Sequence, residues 1–211
     1  TAITNDGNSD LQPDWIWIKK RSATGQHVLS DTNRGILKVL NSNSNAAEDS
    51  NSEGEMVKSV QSDGFTLGDS QAGQGDTNYT SGATYVAWQW KANGGSTTTN
   101  DASATSVGTI DSVYQANTTA GFSIVTFTGN GSSGATVAHG LGAVPKTILI
   151  KSLNGTNKSW NVYHSSIDAT DAAQLDTTAA FYDSPSYWND TEPTSTVFSL
   201  GNSSETNESG K

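Results

Sequence analysis

Hydrophobic and polar residues alternate with a period of two at several places along the chain, the pattern of strands with one covered face. From Trp15 to Lys19, Trp15, Trp17 and Lys19 fall on one face and Ile16 and Ile18 on the other. Thr84 to Trp90 sets Val86, Trp88 and Trp90 against Tyr85, Ala87 and Gln89. Because Trp88 and Trp90 share a face with Val86, that face is read as core. Gly121 to Thr128 places Phe122, Ile124 or Val125, and Phe127 in a third strand, and Gly129-Asn130-Gly131 behind it is a turn signal. Only Gly35 to Asn45 and Asp168 to Ala180 have room for a helical turn, and a short one.

Self-comparison adds the domain plan, since a fixed spacing between similar segments marks duplicated units. Pro13-Asp-Trp-Ile-Trp-Ile-Lys19 recurs as Pro145-Lys-Thr-Ile-Leu-Ile-Lys151, 132 residues on. Gly64-Phe-Thr-Leu-Gly68 recurs in part as Val197-Phe-Ser-Leu-Gly201, 133 residues on, and Asn78 to Gly82 is echoed by Asn207 to Gly210. In the second copy Ile148 and Ile150 persist while Thr147 and Leu149 replace the tryptophans, so the isoleucine face is the core face. The expected fold is all-β, two tandem jelly-roll-like β-sandwich domains related by duplication. Residues 1–92 form the first, 93–112 a linker rich in Gly, Ser, Thr and Asn, and 113–211 the second, truncated one. The alternative is a single sandwich with one long surface loop, although unstructured loops beyond about 15 residues are uncommon in compact domains. The copies also look incomplete in complementary ways. Nothing before Pro13 resembles Gly121 to Thr128, and Lys211 falls where a second Tyr85 to Trp90 is due, so both ends look cut.

Composition agrees with strands and loops. Ser, Thr, Asn and Gly fill 95 of 211 positions and apolar residues only 33%, too few for long amphipathic helices. A net charge of −10, with Lys19-Lys20-Arg21 the one basic run, argues against a nucleic-acid partner, which needs clustered cations for phosphate. With no cysteine there is neither a disulfide framework nor a thiolate metal site. The apolar runs are far shorter than the ~20 residues of a membrane-spanning helix, so membrane insertion is not expected.

Motifs for chemistry are sparse. The sequence holds no Gly-x-Ser-x-Gly elbow, no phosphate loop and no His-Glu-x-x-His pair. His27, His139 and His164 lack short metal-ligand spacing; His27 and His164, beside Val28 and Val162, are read as structural residues near equivalent points of the two repeats, and His139 as orienting a turn before Pro145. Asp49 to Gly54 begins like a calcium loop, but its twelfth position is Val60 rather than a bidentate carboxylate, so no metal is assigned. Asp168, Asp171, Asp176, Asp183, Asp190 and Glu192 could supply the paired carboxylates of a glycosidase, yet an acidic chain scatters such residues by chance. Eight Asn-x-Ser/Thr sequons are little more than this composition produces at random. No catalytic residue and no cofactor are expected. The remaining binding feature is Trp15 and Trp17, whose indoles can stack on sugar rings or meet a partner; the competing reading packs them between sheets or subunits.

Taken together, Gln12-Pro-Asp-Trp-Ile-Trp-Ile-Lys-Lys-Arg21, His27-Val-Leu-Ser-Asp-Thr-Asn-Arg-Gly35, Ser62-Asp-Gly-Phe-Thr-Leu-Gly68 and Tyr85-Val-Ala-Trp-Gln-Trp-Lys91 resemble a known family. Gly121-Phe-Ser-Ile-Val-Thr-Phe-Thr-Gly129, His139-Gly-Leu-Gly142, Pro145, Lys151 and Trp160-Asn-Val-Tyr-His164 extend the match. It is a repeated β-rich domain of unknown function in virion and tail-fibre-like proteins of marine bacteriophages. The resemblance implies a concanavalin A-like or laminin G-like sandwich on a virus particle, without a catalytic residue. The expected function is therefore that of a non-enzymatic structural protein of a fibre, decoration or appendage, at the virion surface and extracellular. Its expected partners are other copies of itself, other virion proteins and a host surface glycan. A lectin-like carbohydrate-binding module is the alternative, and a polysaccharide-degrading enzyme the least supported reading.

Overall fold

The computed structural model describes residues 1–8, 10–50, 55–69, 77–155 and 157–211. They form two units: Thr1–Asn43 with Glu48–Ser96, and Thr97–Lys211 with Ser44–Ala47. Both are built from antiparallel sheets.

In the first unit the strands are β1 (Ala2–Ile3), β2 (Trp15–Lys20), β3 (His27–Asp31), β4 (Lys38–Asn41), β5 (Asp49–Ser50), β6 (Val57–Gln61), β7 (Gly64–Leu67) and β8 (Tyr85–Trp90). They make a three-stranded sheet, β1-β7-β6, and a five-stranded sheet, β5-β4-β3-β2-β8. Ile16 and Ile18 from β2 meet Val57, Phe65 and Leu67 from the smaller sheet in one buried cluster, so the unit is a two-layer sandwich. Gly64 sits at φ +110, and a Cβ there would lie 2.1 Å from the Ile3 carbonyl oxygen, which is why the β6–β7 turn carries glycine.

The second unit contains β9 (Thr98–Asn100), a helical turn α1 (Ala102–Thr105), β10 (Ser112–Asn117), β11 (Phe122–Phe127), β12 (Ala135–Ala138), β13 (Thr147–Ile150), β14 (Asn161–His164), β15 (Asp171–Gln174), β16 (Tyr182–Asp183), a second helical turn α2 (Pro185–Trp188) and β17 (Val197–Leu200). Its sheets run β11-β10-β9, β12-β17 and β13-β14-β15-β16. Ile150, Tyr163 and Ala172 of the four-stranded sheet face Val137, Phe198 and Leu200 of the β12–β17 pair, with Trp188 of α2 in the same core.

Duplication is written in the strand registers. Ile16 pairs with Ser30 and Ile18 with Val28; Ile148 pairs with Tyr163 and Ile150 with Asn161, all displaced by 132 or 133 residues. The next pairing follows, Val28 with Asn41 and Asn161 with Gln174. Beyond it Val39 with Asp49 matches Ala172 with Tyr182. On the other layer, Ile3 with Phe65 matches Val137 with Phe198. Side chains repeat too. Asn43 Oδ1 accepts the His27 amide at 2.8 Å, and Asp176 Oδ1 accepts the Trp160 amide at 3.0 Å. Lys19 and Lys151 each donate to the carbonyl of the next residue, at 2.7 and 2.8 Å. Asn78 and Asn207 each donate to the glycine that ends the preceding strand's turn, Gly68 at 3.0 Å and Gly201 at 2.8 Å.

Three expectations are corrected. The stretch 93–112 is not a loose connector: Thr98–Asn100 forms β9 against β10, and Asp101 caps α1 by accepting from the Ser103 and Ala104 amides. Both places given room for a helical turn instead hold strands, β4 and β15, while the helical turns lie at α1 and α2. Finally, with the register fixed, His27 corresponds to Trp160 and His164 to Asp31, so the two histidines are not equivalent.

The Gly94-Gly95 pair is held by Asp14, which is fully buried. Asp14 Oδ2 accepts from the amides of Ala92 and Gly94, both at 2.8 Å, and Oδ1 from the Gly95 amide at 2.7 Å and the Thr32 hydroxyl at 2.9 Å. Both glycines have positive φ, which lets successive amides converge on one carboxylate. Hydrogen bonds to a charged group contribute about 1.5–3 kcal/mol. Asp14→Ala should therefore destabilise the first unit by about 3 kcal/mol or more, with Asp14→Asn losing less. Urea titration followed by tryptophan fluorescence reads the difference.

Candidate functional site

β2 alternates strictly: Ile16 and Ile18 are buried, while Trp15, Trp17 and Lys19 on the opposite face are half-exposed. β8 lies beside it with Trp90 opposite Trp15 and Trp88 opposite Trp17. Directly opposed residues share a face, so all four indoles stand on the outer side of the five-stranded sheet. The Trp15 and Trp90 rings are 4.8 Å apart and inclined at 66°, Trp17 and Trp88 5.5 Å apart at 50°, and Trp15 and Trp17 5.6 Å apart at 64°. These are edge-to-face and tilted contacts of the kind aromatic quadrupoles favour. Trp88 remains 44% and Trp90 37% exposed, so the reading of that face as core is corrected: Tyr85 and Ala87 pack inward instead. The Trp17 Nε1–H is buried and has no acceptor among the described residues.

The sequence singled out Trp15 and Trp17 but missed their two partners. The missing signal was the β2–β8 pairing, which alone ties the face of one strand to that of the other. In the second unit the positions of Trp15 and Trp17 hold Thr147, exposed, and Leu149, 38% exposed.

The other candidates are dispersed. Among the described residues no group of three or more His, Asp or Glu is placed to hold a metal ion. Residues 51–54 of the calcium-like loop lie outside the described residues, and Val60 is in β6. Of the six carboxylates singled out in the second unit, Asp171 and Asp183 face each other across β15 and β16. Asp176 ties the open end of the β14–β15 hairpin by accepting the Trp160 amide, and Glu192 accepts from the Tyr163 hydroxyl and, at 2.8 Å, from the Ala169 amide. Burial, reinforced by Glu192, pushes the Tyr163 hydroxyl pKa well above its ordinary value. Arg34 joins Asp31 at 2.6 Å and Glu48 at 2.7 Å in an ion triad whose side chains are 3 to 16% exposed, a structural use of the His27–Gly35 stretch.

These observations define a class: a chain of two related all-β sandwiches carrying an aromatic outer face on one of them. The chain belongs to the family described as domain of unknown function DUF7483, whose model matches residues 3–211. The family unit thus contains both copies of the repeat. No curated protein and no solved structure matches the chain.

His139 offers a pH test of the second unit. Its Nδ1 accepts the Leu141 amide at 3.2 Å, leaving Nε2 to carry the hydrogen toward the Thr194 carbonyl at 3.2 Å, so the ring is neutral. Burial lowers its pKa from 6.5, with the Thr194 bond opposing in part. A depressed folded pKa means that the unfolded chain binds the proton more readily. Its contribution is therefore complete above about pH 6.5 and is lost as pH falls through the folded value. His139→Gln should flatten that part of the stability profile, measured by thermal melting from neutral to mildly acidic pH.

Proposed function

We propose that the chain is a non-enzymatic surface module that meets its target through the tryptophan ladder of the first unit. One observation carries this reading. The second unit forms the equivalent strand pairings, β13-β14-β15-β16 for β2-β3-β4-β5, with Thr147 and Leu149 where the first has Trp15 and Trp17. The strand pairings therefore do not require indoles at those positions, and a partly exposed cluster of four is free to serve contact. Interlocked indoles present rigid apolar area at small entropic cost, suited to stacking on the C–H face of a sugar ring.

The resemblance to marine phage virion and tail-fibre-like proteins supports the setting: a fibre, decoration or appendage at the virion surface, with each sandwich of concanavalin A-like or laminin G-like kind. Partners in that setting are other copies, other virion proteins and a host surface glycan. A lectin-like module outside any particle is the second reading, favoured by the same indole faces. A glycan array with host-derived polysaccharide tests both. Binding should fall at least tenfold in Trp88→Ala and Trp90→Ala with no sugar hydrolysed. Equal binding by both variants would sink the proposal, and product release would replace it with an enzyme.

A further inference from the structure

The repeat leaves one position unequally filled. In the first unit β2 lies between β3 and β8, whereas β13 has β14 on one side and, among the described residues, no strand on the other. The register shows which backbone groups face that edge. The Ser165 amide donates to the Lys146 carbonyl at 2.9 Å, so Lys146, Ile148 and Ile150 direct their backbone groups toward β14. Thr147, Leu149 and Lys151 then direct theirs outward. In the first unit the residues at these places, Trp15, Trp17 and Lys19, are the ones opposite Trp90, Trp88 and Val86.

Two further observations concern this edge. Ile16 and Ile18, flanked by β8, are 0% and 2% exposed, whereas Ile150 is 7% exposed and Ile148 only partly buried. Lysines commonly block sheet edges, but Lys151 turns its Nζ onto the Ser152 carbonyl as Lys19 does onto the Lys20 carbonyl, and Lys19 sits beside a paired strand.

We infer that the outer edge of β13 is a strand-accepting site whose occupant is an antiparallel segment of β8 chemistry, small or apolar side chains facing Ile148 and Ile150 and bulky ones facing out. The template is internal: Ala87 lies opposite Ile18 and Gln89 opposite Ile16, with Tyr85 and Ala87 packed on the core. Main-chain bonds give such augmentation its affinity, and the inward side chains its selectivity.

The probe is a fluorescent peptide with the sequence of residues 83–92, added to the full chain. Saturable binding is expected, with slowed hydrogen exchange at the Thr147, Leu149 and Lys151 amides. Leu149→Pro removes an outward donor and no β13–β14 bond, so it should weaken binding at least tenfold while the melting temperature changes little. A peptide with Lys in place of Ala87 should also bind at least tenfold more weakly to the unaltered chain, a result that does not depend on the proline variant folding. Absence of binding, or binding with β13 exchange unchanged, overturns the inference. So does self-association through β13 that the peptide cannot displace.

Discussion

The structure depends on the two-residue period of β2. A strand inside a sheet has two faces and one register, and a slip by one residue exchanges everything it buries for everything it exposes. Ile16 and Ile18 fix that register by filling the cluster with Val57, Phe65 and Leu67. Once they point inward, Trp15 and Trp17 must point outward, and pairing with β8 brings Trp88 and Trp90 to the same face. Asp14, one residue before the strand, then gathers Thr32 and the Ala92 to Gly95 backbone around its carboxylate. Core, aromatic face and the end of the unit all hang on this one segment.

Comparing the two copies separates what the fold needs from what each copy adds. The inward isoleucines, the equivalent phenylalanines Phe65 and Phe198, the lysine bonded to its neighbour's carbonyl, the side-chain bond across the open end of the hairpin and the asparagine on the turn glycine recur. These set strand pairing and turn geometry. Outward positions changed, and so did the means of filling the core: Ser30 gives way to Tyr163, which stands 5.9 Å from Trp188 of α2 in an edge-to-face contact. A sandwich tolerates such exchange when total volume is kept.

Much of this was legible in the sequence because it rests on short-range periodicity. β2, β8 and β11 fall where alternation puts them, and the matched segments at 132 and 133 lead to equivalent strands. Alternation fails where the answer depends on a neighbour. The sequence of β8 has aromatic and aliphatic residues on both faces, and only its pairing with β2 decides that Trp88 and Trp90 face outward. The Gly, Ser, Thr and Asn of 93–112 have a linker's composition, yet Gly94 and Gly95 are fixed by Asp14 some 80 residues earlier. The cap of α1 was within reach: Asp101 before Ala102-Ser103-Ala104 is an N-cap signal.

The tryptophan face is both part of the fold and a partly exposed apolar cluster, and this shapes how contact and stability would divide. Each aromatic contact contributes about 0.5–1.5 kcal/mol beyond area burial, so the chain Trp90–Trp15–Trp17–Trp88 holds β2 and β8 together on the outer side while Ile16, Ile18, Tyr85 and Ala87 hold them on the inner. The inward isoleucines recur in the second unit as Ile148 and Ile150; the outer indoles do not. An indole locked by its neighbours cannot turn to follow a ligand, so the proposed contact role requires a target that matches the ladder as it stands. In that role it would trade adaptability for affinity, since little side-chain freedom would remain to be lost on binding. Trp88 and Trp90, at the outer strand and the more open pair, are where the proposed contact would fall; Trp15 and Trp17, half-buried on the interior strand β2, are where stability rests.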